Sequence, residues 1–528
     1  MYNPGLGVRQ ANPLSASRGI AARVGEQITT ANVVGLFAAI ASLVLLLGIH
    51  DAQHWNMRLP LYLVVIVWTI LRPRTALYLL PLAVPWGALD TFTLGSTNLG
   101  GYDADILVGL LATGWLLSFT LRPFVAYDRR ESGPLDREAI TPPRALVVAM
   151  LVLLFTMIIS VTVAFSISSS LKEIVKWFEV LVILLLGTQY IRTRRQIWTI
   201  VVIMCLAGIS QALLGFEQEF LNLGPTNFVR DATLRVYGTF AQPNPYAGYI
   251  NMTLALALAL MLLGRNWRTR ILAACTVIPL AIVVYYTQSK GGWIAIGVAA
   301  LFIVTAGFPR LRPLMLLAFI AFLTVIGAYL AGKIPAHLID PILTRIGLIN
   351  ISFTAPTPDN YANSERVAHW VAGINMFADH PFLGVGIGNY SDLYRHYQLG
   401  IFVIPLGHAH NYYINIAAEA GLFGLTAFLL LLTTIFVAGG RTLRVINGQY
   451  RSLKARLAKP QGNVATAEVQ TRLSRFGILV NDRALAIGLL ASLISVCMHN
   501  LVDNVYVHSM TNLFALLIVL LIRLDRVT

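Results

Sequence analysis

Residues 146–166 read Leu146-Val147-Val148-Ala149-Met150-Leu151-Val152-Leu153-Leu154-Phe155-Thr156-Met157-Ile158-Ile159-Ser160-Val161-Thr162-Val163-Ala164-Phe165-Ser166, without a single charge. A helix needs about 20 mostly apolar residues to cross the hydrocarbon core of a bilayer. This stretch is long enough. Similar runs recur at 32–49, 59–71, 75–89, 104–121, 171–190, 197–215, 246–263, 271–287, 292–307, 313–331, 411–438, 484–503 and 509–523, fourteen in all. The second and third are short and flank Arg72-Pro73-Arg74. If they form one broken hairpin, twelve crossings remain. Composition agrees: 57% of the 528 residues are hydrophobic and 12% are charged. A soluble domain carries roughly 25% charged residues. A water-soluble globular protein is excluded, and the fold class expected is all-α: a polytopic integral membrane protein of 12–14 transmembrane helices.

Basic residues give the orientation, since Lys and Arg concentrate in cytoplasmic loops. Arg clusters recur in every second loop: 122–144, 192–195, 265–270, 310–312 and 441–483. Alternating fourteen spans puts these and both termini on one side, which is therefore the expected cytoplasmic side. It holds 29 of the 39 Lys and Arg residues. The net charge of +15 thus concerns topology, and no nucleic acid need be invoked. The expected layout is a cytoplasmic tail at 1–30, spans one to eleven over 31–331, and a large extracytoplasmic loop at 332–409. Span twelve then covers 410–439, a basic cytoplasmic loop 440–483, and the last two spans 484–528. The first thirty residues are polar, with Arg9, Arg18 and Arg23 and no apolar stretch before the first span, so no cleavable signal is expected. Segment 440–483 reads as a helix lying on anionic lipid. Cys205, Cys275 and Cys497 sit in apolar runs and make no disulfide framework.

The polar groups that could carry chemistry gather on the outer side. Two outer loops, 216–245 and 332–410, exceed the length of ordinary connections and read as functional. The second contains an amphipathic stretch at 364–379, with Val367, Trp370, Ile374 and Phe377 on one face. Six of the ten histidines lie in this loop or at its exit: His337, His369, His380, His396, His408 and His410. Histidine suits proton transfer near neutrality. No metal is expected, because only His408-Ala409-His410 has tight spacing and no HExxH follows. His410 opens span twelve, where Asn411, Asn415 and Glu419 repeat at four-residue steps and share a face. A carboxyl that deep reads either as functional or as a bond to a neighbouring helix.

Three further clusters stand out. Arg235-Val236-Tyr237-Gly238-Thr239-Phe240-Ala241-Gln242-Pro243-Asn244-Pro245 is a turn at the membrane surface. Its arginine either snorkels or holds a phosphate in a bidentate fork. In Asn363-Ser364-Glu365-Arg366, Ser364 is the expected N-cap, with Arg366 in the first helical turn. A cation there is disfavoured by the helix dipole unless an anion is nearby. The Gly384-Val385-Gly386-Ile387-Gly388 run that follows is a weak motif on its own. The last cluster is Gln288-Ser289-Lys290-Gly291 in a short outer turn, with Lys172 and Lys176 near the outer start of the sixth span.

These pieces, in this order, resemble the O-antigen ligase and polymerase superfamily of membrane glycosyltransferases with a GT-C-like fold. The resemblance rests on Arg235 with Gly238-Thr239-Phe240 and Pro243-Asn244, on Ser289-Lys290-Gly291, on Arg366 with Trp370 and the Pro381 to Gly388 turn, and on His410-Asn411 with Glu419-Ala420-Gly421. It covers about residues 145–525. It implies an enzyme of the bacterial inner membrane, with both termini cytoplasmic, that takes a glycan from undecaprenyl diphosphate. The acceptor is a hydroxyl of lipid A–core in ligases, another lipid-linked glycan in polymerases, and protein in related enzymes. The resemblance assigns catalysis to His410, Arg366 and Arg235, with no cofactor. Lys290, Asn411, Glu419, Lys176, Asn244 and His408 are the expected substrate-binding residues. The family often has Arg where Lys290 stands, and commonly shows about twelve spans. A polysaccharide transporter without chemistry is the competing class. Against it, the sequence has no internal repeat and gathers its polar groups at one face, whereas transporters often show repeats and midplane charges.

Overall fold

The computed structural model describes residues 55–87, 92–93, 100–120, 140–230, 233–345, 351–358, 360–458 and 466–526. Contacts divide the chain into residues 1–63 and residues 64–528. Among the described residues the first unit holds only the start of helix α1 (Trp55–Leu71). The expected span at 32–49, the N-terminal tail and the basic residues at 122–139 lie outside the described residues.

The second unit is helical. After α1 come α2 (Arg74–Trp86), α3 (Asp103–Thr120), α4 (Arg144–Ser160), α5 (Ile167–Tyr190), α6 (Arg194–Phe220), α7 (Pro243–Leu263), α8 (Trp267–Tyr286), α9 (Lys290–Gly307) and α10 (Arg312–Leu330). The loop-rich part holds α11 (Ala336–Arg345), α12 (Tyr361–Asp379) and α13 (Tyr390–Tyr397), and α14 (Tyr412–Ala458), α15 (Thr466–His499) and α16 (Met510–Arg523) close the bundle. The described strands are two-residue antiparallel pairs, Phe92–Thr93 with Gly100–Gly101 and Val229–Arg230 with Thr233–Leu234. Every other expected span coincides with a helix. Eight described helices are long and apolar enough to cross a membrane. The chain is an all-α polytopic membrane protein.

Local sequence sets the helix starts. Thr193 and Gln196 form a capping box at α6. Ser166 caps α5 through the Ser169 N–H, and Ser289 caps α9 through the Gly292 N–H. Arg72-Pro73 ends α1, so the two short runs become separate helices. α7 is buried over most of its length and α16 at every residue, and the two form the core, α7 packed on α8 and α15 and α16 on α5. α10 is buried nowhere along its length.

Two expectations change. Segment 440–483 is not a separate surface helix. α14 and α15 run on past the apolar stretches and pack on one another, with Tyr450 stacked on Phe476 at 5.3 Å between centroids. The helix formers in that segment simply continue the spans. In α12 the buried side is a face of small residues, Ser364, Ala368, Ala372 and Gly373, with His369 and Met376, while Ile374 is 50% exposed. Small residues let the helix backbone approach α14: a Cβ at Gly373 would lie 2.8 Å from Ile414.

α14 breaks at Gly421 (φ 65°, ψ −162°), a conformation open essentially to glycine alone. Into that break fits the turn 381–388. The Leu422 N–H donates to the Pro381 carbonyl at 2.8 Å and the Val385 N–H to Ala418 at 2.9 Å. A Cβ at Gly421 would stand 2.2 Å from the Phe382 oxygen. Gly421→Ala is therefore expected to cost about 1–3 kcal/mol. Gly440→Ala on the same helix, where a Cβ meets nothing within 4 Å, is expected to be neutral or slightly stabilising. Thermal unfolding of the two variants in detergent checks the contrast; equal midpoints would contradict it.

Candidate active site

The site forms where the segment before α14, the link between α15 and α16, and α12 meet. Asn411 caps α14, its Oδ1 accepting the Tyr413 and Ile414 N–H groups at 2.9 and 3.1 Å, while its Nδ2 donates to the Leu501 carbonyl. The Tyr412 N–H donates to Asn500. Below them Trp177 donates from Nε1 to the Tyr412 hydroxyl and packs with Tyr412, Phe428 and Tyr506. This aromatic cluster ties α5, α14 and the 500–509 link into one platform.

On it sits His410, in the left-handed region at φ 49°, a conformation that a side chain adopts only when its surroundings enforce it. Trp370 of α12 enforces it by donating from Nε1 to the His410 carbonyl at 3.0 Å. His410 Nδ1 lies 3.2 Å from Asp503 Oδ1. A carboxylate there sets the tautomer with Nδ1 protonated. His410 Nε2 is buried and has no hydrogen-bond partner among the described residues. The result is a carboxylate-oriented imidazole with its basic nitrogen bare. Burial alone would raise the Asp503 pKa. The hydrogen bond from His410 and the charges of His410, His408 and Arg366 overcome it and hold the carboxyl well below its usual range.

His408 lies beside this pair, its Nε2 3.9 Å from Asp503 Oδ1. Its Nδ1 accepts the His410 backbone N–H at 3.1 Å. Burial, with the charge of His410, pushes its pKa down to about 3. His408, His410 and Asp503 could by position hold a metal ion. The hydrogen bonds favour protons instead. With Nδ1 accepting, neutral His408 carries its proton on Nε2, the atom facing Asp503, where a metal would need a lone pair. His369 stacks on Tyr394 at 4.5 Å and faces His410 at 5.5 Å. Burial, with the charges of His410 and His408, lowers it to about 3.

Arg366 is half-buried on α12, with Nη1 donating to Asn363 at 3.3 Å and Nε buried without a partner among the described residues. The helix starts earlier than expected. Its N-cap is Asn360, whose side chain closes a turn on the Thr357 N–H. Ser364 lies inside the helix, so Arg366 stands in the second turn and the dipole argument for an anion does not apply to it.

Arg235 reaches this end of the bundle through another turn. Its Nε donates to the Thr287 carbonyl at 3.1 Å and Nη2 to Asn244 at 3.2 Å. Gln218 holds the turn by accepting from Tyr237 and Gly238 N–H groups and donating to Gly238. Lys290 is exposed at the start of α9. Next to it Gly291 abuts the 499–502 segment, where a Cβ would meet Val502 at 2.6 Å. Asn244 and Asn411 thus hold protein groups in place. Lys176 donates to Glu173 at 2.6 Å and to the Tyr506 carbonyl at 3.1 Å. Glu419 accepts the Tyr390 N–H at 3.1 Å, so it fastens the glycine turn to α14. Gly384, Gly386 and Gly388 all have positive φ. Their missing side chains let the turn approach Glu419, Ala164 and Ser169.

Sequence reasoning missed Asp503, which is 93 residues from His410 and was absorbed into the end of an apolar run. The polar string His499-Asn500-Leu501-Val502-Asp503-Asn504 was the available signal. Residues 275–429 match the model of the family described as O-Antigen ligase. Over that stretch, which holds Lys290, Arg366, His408, His410, Asn411 and Glu419, the chain is similar to the O-antigen ligase superfamily. No curated protein matches the chain.

The lowered pKa values of His408 and His369 carry a sign. Between pH 6.5 and 3 the unfolded chain binds protons at these two sites that the folded chain does not, so stability falls as pH falls through that window. The thermal midpoint in detergent is expected to drop from pH 6.5 to 4, and His369→Asn to shallow that drop. An equal pH dependence of the midpoint in the parent and in His369→Asn would contradict the assignment.

Proposed function

We propose that this protein is an O-antigen ligase-like glycosyltransferase. It moves a glycan from undecaprenyl diphosphate to a hydroxyl of an acceptor, lipid A–core, at the outer face of the bacterial inner membrane. The loop-rich end faces outward and both termini lie in the cytoplasm. The observation that carries the reading is the bare, buried Nε2 of His410, oriented by Asp503 through Nδ1 and standing near Arg366.

A sugar hydroxyl is a poor nucleophile. His410 Nε2 accepts its proton while the oxygen attacks the anomeric carbon. The bond from that carbon to the diphosphate oxygen breaks, and the lipid diphosphate leaves with the electron pair. Asp503 stabilises the imidazolium that forms. Arg366 and Arg235 hold the diphosphate, where fixed donors are worth most against developing charge. Lys290 adds a cation beside them, and Lys176, His408, Asn244, Asn411 and Glu419 keep the site in shape. Membrane lipid surrounds the donor chain, so no extraction into water is needed.

His410→Ala is expected to lower transfer by about 10²–10⁴-fold. Arg366→Ala or Arg235→Ala should cost about 10²–10³-fold, and Asp503→Asn at least about 10²-fold. Surface glycan from the producing strain, resolved on a gel at constant protein abundance, reads this out. Unchanged glycan in the His410 and arginine variants would refute the assignment. Deletion separates two readings of the same site: a ligase leaves bare acceptor with chains retained on the carrier, whereas a polymerase of the same superfamily leaves single repeats on the acceptor.

A further inference from the structure

The segment leading to His408 contains a surface that the transfer reaction does not use. Residues 398–407, Gln398-Leu399-Gly400-Ile401-Phe402-Val403-Ile404-Pro405-Leu406-Gly407, carry no charge. Four of their large side chains point away from the protein: Ile401 is 49% exposed, Val403 55%, Ile404 65% and Leu406 40%. Isolated exposed aliphatics are ordinary, but a contiguous set is not.

The presentation is built. Leu399 bridges Phe402, the Ile401 N–H donates to the Phe353 carbonyl at 2.9 Å, and the Tyr394 hydroxyl donates to the Phe402 carbonyl at 2.8 Å. Phe402 is 3% exposed and packs edge-on against Tyr361. Gly400 has φ 57° and passes so close to Phe353 that a Cβ has no room. Leu406 is held at φ 47°, an uncommon region for a non-glycine residue. The hairpin is thus clamped by one side chain while its neighbours are turned outward.

We infer that the 401–406 hairpin inserts into the membrane interface beside the bundle. Three observations choose lipid as the occupant. The outward side chains are all aliphatic, whereas protein hot spots favour Trp, Tyr and Arg. Exposed Arg395 lies in the last turn of α13 just before the hairpin, and a cation flanking an apolar tip suits anionic headgroups. The first residue of α14 follows Leu406 by six positions, at most ~20 Å of chain, so the bilayer is within reach. Loop backbone does not enter the hydrocarbon core. Insertion is therefore shallow, about 5–10 Å, at the headgroup–acyl boundary. Because Gly407 and His408 follow directly, the hairpin sets the height of His410 above the bilayer, a consequence that rests on the transfer reading while the insertion itself does not.

The test uses the full chain in vesicles of phosphatidylcholine and phosphatidylglycerol. Cys205, Cys275 and Cys497 are replaced by Ala, and a nitroxide is attached at Ile404→Cys. Leu316→Cys on α10 and Arg451→Cys on α14 serve as lipid and water references. Collision with oxygen should exceed collision with a nickel chelate at position 404, as at 316 and opposite to 451. Higher nickel access at 404 would overturn the inference. Shielding from both reagents would also overturn it, by showing a protein cover. Val403→Asp beside the label should reverse the ratio read at 404, and in the unlabelled chain Ile404→Asp should lower transfer in vesicles more than tenfold, with Ile404→Leu close to wild type. Insertion with unchanged transfer in Ile404→Asp would refute the height-setting role alone. If the parent makes no product, the transfer reading fails while the collision ratio still decides insertion.

Discussion

The loop-rich end depends on one backbone-to-backbone contact, the seating of residues 381–388 in the break of α14 at Gly421. A polar backbone inside an apolar bundle must find every partner within the protein. Here the partners are explicit. The Pro381 carbonyl and the Val385 N–H bond to α14, and Ser160 donates to the Leu383 and Glu419 carbonyls while accepting from Ile387. Asn389 binds the Ser166 carbonyl and Ser170, and its own Oδ1 accepts from the Ser166 N–H. α4, α5, α12, α13 and α14 are thereby fixed to one another, and α12 delivers Trp370 and Arg366 to His410.

That scaffold explains why a polar site can exist against the membrane. Several polar groups around it are satisfied within the protein: Lys176 by Glu173, Glu419 by Tyr390, Asn411 by Leu501 and the first turn of α14. Among the described residues, the buried side-chain atoms without a hydrogen-bond partner include His410 Nε2 and Arg366 Nε at the site, and also His369 Nε2 and both ring nitrogens of His499. Buried unpaired donors and acceptors are costly, and such a cost is retained where a ligand completes the bonds. A bare acceptor beside an arginine matches a hydroxyl nucleophile next to a diphosphate.

Much of this was legible in the sequence. Runs such as 146–166 and 246–263 contain few or no charges and cannot sit in water, so the helices followed from composition and length. His410, Arg366 and Arg235 could be singled out because a cation or imidazole in an ordered loop beside apolar spans is unusual. Other features were set by contacts at a distance. Ser364 resembled a cap, but the Thr357–Asn360 turn began the helix earlier. Val367, Trp370 and Ile374 marked the apolar face of α12, but the side that packs is the one carrying Ala368, Ala372 and Gly373. Glu419 read either as a functional carboxyl or as a bond to a neighbouring segment, and its hydrogen bond from the Tyr390 N–H is of the second kind. Asp503 stands in a polar string that marks the end of a span, but its pairing with His410 arises only when α15 and α14 bring the two together.

The central claim is that a bond is made at His410 rather than a glycan merely moved. Purified protein in vesicles, supplied with an undecaprenyl-diphosphate-linked glycan and a lipid A–core acceptor, tests it directly. The account expects lengthened acceptor and free lipid diphosphate in equal amounts, both lost in His410→Ala. Donor that crosses the bilayer with its glycan still attached, and no new product, would contradict it.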